Sequence, residues 1–231
     1  MFKIRCSAIG QIMTEPKLKA DKDAGNLSQT AKTYCETWLK EKLYLRYKDF
    51  TSKYTQKGLE VEGDAIKFIT ESLGLGLVFK NEERFENDFL QGTPDLIISD
   101  CVIDNKSSWD CFTFPLFDSE VPEKNYWWQL QGYMALSGKD NAKLIYTLMD
   151  APQWLIDKEV EKELWLNRVN LDEVTWEVRE QMSGKYRYAH LDAKLRIKIF
   201  EISRDDQAIE SIYQKVQKCR EYIELLTNNL K

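Results

Sequence analysis

At 231 residues, with 43% hydrophobic and 12% aromatic side chains, the chain is long enough to close a core and is expected to fold as one domain over residues 1–231. Apolar runs stay well below the roughly 18 residues of a membrane span, and the N-terminus has no apolar stretch leading to a cleavage site, so neither membrane insertion nor a signal peptide is expected. A net charge of −5 argues against coating nucleic acid with a generally basic surface, though a locally basic groove stays open. Five scattered cysteines without a C-x-x-C pair point to reduced thiols in a cytoplasmic compartment and leave zinc-ribbon and iron–sulfur schemes without ligands. The single histidine, His190, excludes any site built on two imidazoles and reads as an ordinary surface residue.

In chain order, residues 2–13 read as a short strand entering a helix that Ser7 caps. Residues 16–25, charged and opening on Pro16, read as a loop. A helix starts at Ser28 and runs to about Tyr47, with Leu27, Ala31, Tyr34, Trp38, Leu43 and Leu45 as its apolar residues. A second helix covers about 59–73. Leu59, Glu62, Ile66, Ile69 and Leu73 recur there at helical spacing, which puts Glu62 on the inward face. An inward glutamate needs a cation or a metal; the alternative is a position at the edge of the face that reaches solvent.

Residues 77–79 and 84–90 read as strands. Next comes a hairpin, Leu96–Ile98 and Cys101 onward, turning at Ser99-Asp100, with Asp95 opening it after Pro94. Alternation sets Val102, Asp104 and Lys106 on one face and Ile103 and Asn105 on the other. Residues 109–120 are aromatic and irregular. A third helix, 123–137, stops at Gly138 and carries Tyr126, Gln129 and Tyr133 on one face; the aromatic residues suit core packing, whereas Gln129 does not. Beyond it lie a strand over 143–149, charged helices over 153–167 and 174–182, a strand over 195–202, and a last helix over 204–230 capped by Ser203.

Pro94-Asp95 followed nine residues later by Asp104-x-Lys106 resembles the signature of the PD-(D/E)xK nuclease superfamily. The bland alternative is a surface hairpin whose Asp104–Lys106 pair contributes at most about 0.2–1 kcal/mol. Glu62, Asp95 and Asp104 are hard oxygen ligands suited to Mg²⁺ or Mn²⁺, and the Asn105 carbonyl is a further candidate. Such an ion acidifies a bound water and neutralises phosphate charge, and Lys106 is placed to orient that water or stabilise the transition state. With one histidine in the chain, metal plus lysine is the hydrolytic apparatus these residues can assemble.

The order of motifs narrows the resemblance. Lys57-Gly58-x-x-x-Glu62-x-x-Ala65, Thr93-Pro94-Asp95, Asp104-x-Lys106 and Tyr126-x-x-Gln129-x-Gln131 together resemble the lambda-exonuclease, or YqaJ-type, viral recombinase nucleases. Arg5-Cys6-Ser7-Ala8 is similar to that family's T-A-S segment. The resemblance implies an α/β (α+β) restriction-endonuclease-like core, a mixed central β-sheet flanked by helices. It implies Mg²⁺-dependent 5′-to-3′ degradation of double-stranded DNA ends, with Glu62, Asp95, Asp104, Lys106, Gln129 and Tyr126 catalytic and Arg5 and Ser7 on the 5′-phosphate. It also implies a single-strand annealing protein as partner, a trimeric homo-oligomer, and the host cytoplasm if the chain is phage-encoded. The departures are Asp104 for the family's glutamate, Lys57 before the glycine, Thr93 for serine, and no counterpart to the arginine ahead of T-A-S, for which Arg5 is the substitute. Competing readings are a RecB-like nuclease or an endonuclease of the same fold, and a catalytically silent DNA-binding or inhibitor protein.

Overall fold

The computed structural model describes residues 1–48, 51–169 and 174–230. The chain runs β1 (Ile4–Arg5), a 3₁₀ turn (Cys6–Ala8), α1 (Ile9–Ile12), α2 (Lys19–Asp23), α3 (Gln29–Tyr44), α4 (Lys53–Ser72), β2 (Phe85–Glu86) and β3 (Leu90–Gly92). It continues β4 (Leu96–Ile98), β5 (Cys101–Ser107), α5 (Lys124–Ser137), β6 (Asn141–Thr147), α6 (Gln153–Leu166), α7 (Trp176–Ser183), β7 (Ile197–Ser203) and α8 (Asp206–Asn228). No helix among these is long and apolar enough to cross a membrane.

The strands form two mixed sheets, β1-β3-β2 and β4-β5-β6-β7. They part at Thr93-Pro94-Asp95, where proline has no N–H to give a ladder. In the larger sheet β5 and β6 are parallel and joined through α5, with β4 and β7 antiparallel at the edges. Side-chain alternation then separates two layers. Val102, Leu144, Tyr146, Phe200 and Ile202 share one core with Leu130 and Met134 of α5 and with Ile212 and Val216 of α8. Ile103, Ile145, Ile197 and Ile199 face the other way, onto Ile66 and Ile69 of α4. Each such buried aliphatic side chain stabilises the fold by about 1.5–3 kcal/mol. The mixed α/β core flanked by helices is the expected class, with its strands divided between two sheets.

Several local expectations are corrected. Ser7 caps no helix: it sits inside the 3₁₀ turn, and α1 follows without a side-chain cap. The charged 16–25 segment contains α2. In α3, Ser28 caps as expected, but the helix ends at Tyr44, with Leu43 and Leu45 exposed. α4 begins six residues earlier than its apolar pattern suggests, because Ser52 and Thr55 form a reciprocal capping box. Its inward face is Lys57, Val61, Ala65, Ile66, Ile69 and Thr70, whereas Leu59 is 75% exposed. Residues 77–79 form no strand, and Leu77 and Phe79 are exposed. Asp205, not Ser203, caps α8 by accepting from Ala208 N–H at 2.9 Å.

Candidate active site

The β4–β5 hairpin sets the geometry. A two-residue turn at Ser99-Asp100, with Ser99 in the left-handed region (φ 51°), pairs Leu96 with Ile103. One step further along that register Asp95 stands opposite Asp104, so the nine-residue spacing makes the two acids cross-strand neighbours. β4 stops there, and the Asp95 carboxylate takes over from the ladder: its Oδ2 accepts the Asn105 backbone N–H at 2.7 Å. The Asn105 side chain turns the other way, donating to Ser107 Oγ at 3.3 Å and accepting from Thr147 Oγ1 at 3.0 Å.

Asp104 is 2% exposed and held from two sides. Gln129 Nε2, also buried, donates to its Oδ1 at 3.0 Å and lies 3.0 Å from the Tyr133 hydroxyl. Lys106 Nζ is ion-paired with Oδ2 at 2.6 Å, and among the described residues no other donor reaches that buried oxygen. Burial pulls the Lys106 pKa down, but Asp104 and then Asp95 outweigh it, and the ammonium is held above its usual value. The Tyr126 ring lies beneath it, 4.8 Å from Nζ, an added cation–π contact. Of the side chains singled out from the sequence, Asp95, Asp104, Lys106, Gln129 and Tyr126 therefore meet.

Glu62 is half-buried at the rim. It is the weakest of the influences raising Asp95, and its carboxylate is paired with Lys80. Glu62 thus lies at the edge of the face rather than on its inward side, and its cation is supplied by a residue that sequence periodicity could not connect to it. Among the described residues no three His, Cys, Asp or Glu side chains are gathered into a ready metal cage. Two adjacent carboxylates, one with a buried oxygen that Lys106 alone reaches among the described residues, nonetheless suit a hard divalent cation.

Burial, then the neighbouring Asp104 charge, raise the Asp95 carboxyl from 3.8 to about 7. A carboxyl raised on folding holds its proton longer in the native state, so its contribution is present below the ordinary value and fades as pH climbs through the raised one. The metal-free protein should accordingly lose stability between about pH 4 and pH 7, in a step belonging to the acid pair. Urea midpoints in chelator across that range measure the slope. Asp95→Asn should flatten it; an unchanged slope would show that Asp95 is not the group whose proton the fold retains.

Gln129→Ala is expected to leave Asp104 Oδ1 without its donor, lowering turnover about tenfold or more at a stability loss of about 1–3 kcal/mol. Steady-state kinetics beside thermal melting separates the two. Unfolding without a kinetic loss in the folded fraction would make Gln129 a packing residue.

Arg5 and Ser7 are exposed beside this centre. They line a cleft of about 260 Å³ with Arg84, Gln91, Gly92, Thr93 and Tyr133. Gly92 and Gly132 permit this proximity, since an added Cβ would lie 2.9 and 3.0 Å from Cys6 Sγ. Arg84, bonded to the Gln91 side chain, is the cation that sequence reasoning missed. The one signal for it is that an arginine stands immediately before a short strand whose partner strand runs into Thr93-Pro94-Asp95.

Neither a protein-family model nor a curated protein matches the sequence. Among solved structures, the chain is similar to a phage-related exonuclease from Haemophilus somnus 129PT, with 32% identity and a TM-score of 0.80 over 100% of this chain and 97% of the other. It is also similar to LHK-Exo, an alkaline exonuclease from Laribacter hongkongensis, with 16% identity and a TM-score of 0.65 over 99% and 91% of the two chains. LHK-Exo in complex with dAMP gives 15% identity and a TM-score of 0.66 over the same shares. At these lower identities the likeness to LHK-Exo carries the fold alone.

Proposed function

The chain belongs to the phage-related exonucleases of the lambda-exonuclease type, and from that premise we propose that it hydrolyses double-stranded DNA from 5′ ends with Mg²⁺ or Mn²⁺. The observation that carries this reading is the Asp95–Asp104 pair with Lys106 Nζ ion-paired at 2.6 Å to a buried Asp104 oxygen. Asp95, Asp104 and the Asn105 carbonyl, with Glu62 at the rim, are the groups that would hold the ion. When bound, it supplies an acidified water and a counter-charge for the phosphate.

The remaining chemistry belongs to the chain's own residues. Lys106, kept protonated by the two acids, presents positive charge where a scissile phosphate would gain negative charge. Gln129 fixes the rotamer of Asp104, and the Tyr126 ring walls the ammonium from bulk water. Arg5, Ser7 and Arg84 give the adjacent cleft the charge and hydroxyl donors that a terminal 5′-phosphate takes. LHK-Exo forms a complex with dAMP, a phosphate-bearing nucleotide of the class such a cleft would take. On the same reading the chain works as a single domain in a ring-shaped trimer, in the cytoplasm, and hands its single-stranded product to an annealing protein.

Digestion of a 5′-phosphorylated, end-labelled duplex with Mg²⁺ tests this. Degradation from the phosphorylated end is expected, with slower attack on a 5′-hydroxyl end and none on a covalently closed circle. Cutting of the circle would favour an endonuclease, and no cleavage of any substrate would favour a silent DNA-binding fold.

A further inference from the structure

The cleft beside the active centre does not end at Arg5 and Ser7. The same two side chains also line a second, larger groove of about 670 Å³, which runs away from the acid pair between the N-terminal turn and α3. Arg5 lies at the junction, beside the Tyr34 hydroxyl. Among the described residues, Arg5, Lys17 and Lys48 and one carboxylate, Glu41, line this groove, in a chain whose net charge is −5. Thr30, Thr33 and Thr37 recur along one face of α3 and add a row of hydroxyls. Lysine, arginine, threonine and glutamine are the side chains that hold a sugar–phosphate backbone without reading sequence. Tyr34 and Trp38, half-buried on the same wall, supply the aromatic surface on which unpaired bases stack.

Geometry decides which part of a nucleic acid this groove meets. With a scissile phosphate at Asp104 and Lys106, and the next phosphate toward the 5′ end at Arg5 and Ser7, any nucleotide still further 5′ must continue into the second groove. We propose that the groove between the 3₁₀ turn and α3 binds an unpaired 5′ tail, so that the enzyme accepts 5′-overhanging ends and releases short oligonucleotides from them as well as mononucleotides. Each cut adds one water across a P–O bond, leaving a phosphate monoester on one product and a hydroxyl on the other. The inference rests on the nuclease reading above.

The test compares the wild type with the double variant Thr33→Glu/Thr37→Glu, at an exposed and a half-buried position of α3, on two 5′-phosphorylated duplexes, one blunt and one with a short oligothymidine 5′ tail. The ratio of kcat/KM on tailed over blunt DNA should fall about ten- to hundredfold in the variant, the range expected when one stacked, charge-held nucleotide is lost. Oligonucleotide products from the tailed duplex should disappear with it. An unchanged ratio, whether both substrates slow together or neither does, would overturn the tail assignment. A second arm needs no catalysis: fluorescence anisotropy of labelled oligothymidine in chelator should show about tenfold weaker binding by the variant. Equal binding by the two proteins would overturn the groove. If the wild type cleaves neither duplex while the binding difference persists, the nuclease reading fails and the groove stands.

Discussion

Asp104→Asn should abolish hydrolysis, with a fall in kcat of at least about a thousandfold, while the chain remains folded. Asparagine keeps the shape but not the acceptors: with Gln129 Nε2 at one oxygen and Lys106 Nζ at the other, its amide must turn an N–H₂ toward a donor. Removing one partner of a buried ion pair costs about 3–5 kcal/mol. The low end applies here, because Asp95 also faces Lys106 and ionises more readily once its like-charged neighbour is gone. A melting temperature lowered by roughly 6–12 °C, with native circular dichroism, is the expected accompaniment. Lys106→Met acts in the opposite electrostatic sense, leaving two facing carboxylates without their cation. Its kcat should drop on the order of 10²–10³-fold. Mg²⁺ should raise its melting temperature more than that of the wild type, because an ion that binds the folded state stabilises it by mass action. Full activity in both variants would remove the site from this hairpin.

What sequence made legible here was local. The hairpin could be read because a turn pair, an apolar alternation and a proline all fall within 15 residues, and that register alone sets Asp95 against Asp104. Gln129 stood out because an amide on an aromatic helical stripe needs a partner, and Asp104 is that partner. The rest depended on pairings between distant residues. β1 joins β3 through Ile4 and Leu90, and this contact brings Arg5 and Ser7 next to Thr93. Nothing in the pattern of either segment announces it. The face of α4 was misjudged for a different reason. Leu59 and Leu73 continue the apolar spacing, but the buried stripe is narrower, with Ile66 and Ile69 on the sheet and Val61 and Ala65 on Met149, so Leu59 is left in solvent.

That same stripe contains the residue whose replacement should cost the most stability. Lys57 is completely buried, and its Nζ donates to the backbone carbonyls of Ser108 and Trp109 at 2.8 and 2.9 Å. The Trp109 and Tyr188 rings lie 5.9 and 5.7 Å from it. Burial lowers its pKa to about 8, with Asp150 and then Asp110 pulling the other way. The bonds it makes join α4, which carries Glu62, to the chain leaving β5 just past Lys106. Lys57→Met keeps the volume and removes the charge, but orphans two buried carbonyls at about 1–3 kcal/mol each. A loss of about 2–6 kcal/mol follows, lowering the melting temperature by roughly 5–20 °C. Leu59→Ala, two residues along the same helix but exposed, should change it by about 1–2 °C at most. Lys57→Arg keeps the charge and the donors and should recover part of the loss. Activity at a temperature where Lys57→Met is still folded should also fall, because the strand end bearing Lys106 is no longer tied to the helix bearing Glu62. Equal melting temperatures for Lys57→Met and Leu59→Ala would show that the buried ammonium is not what holds these two elements together.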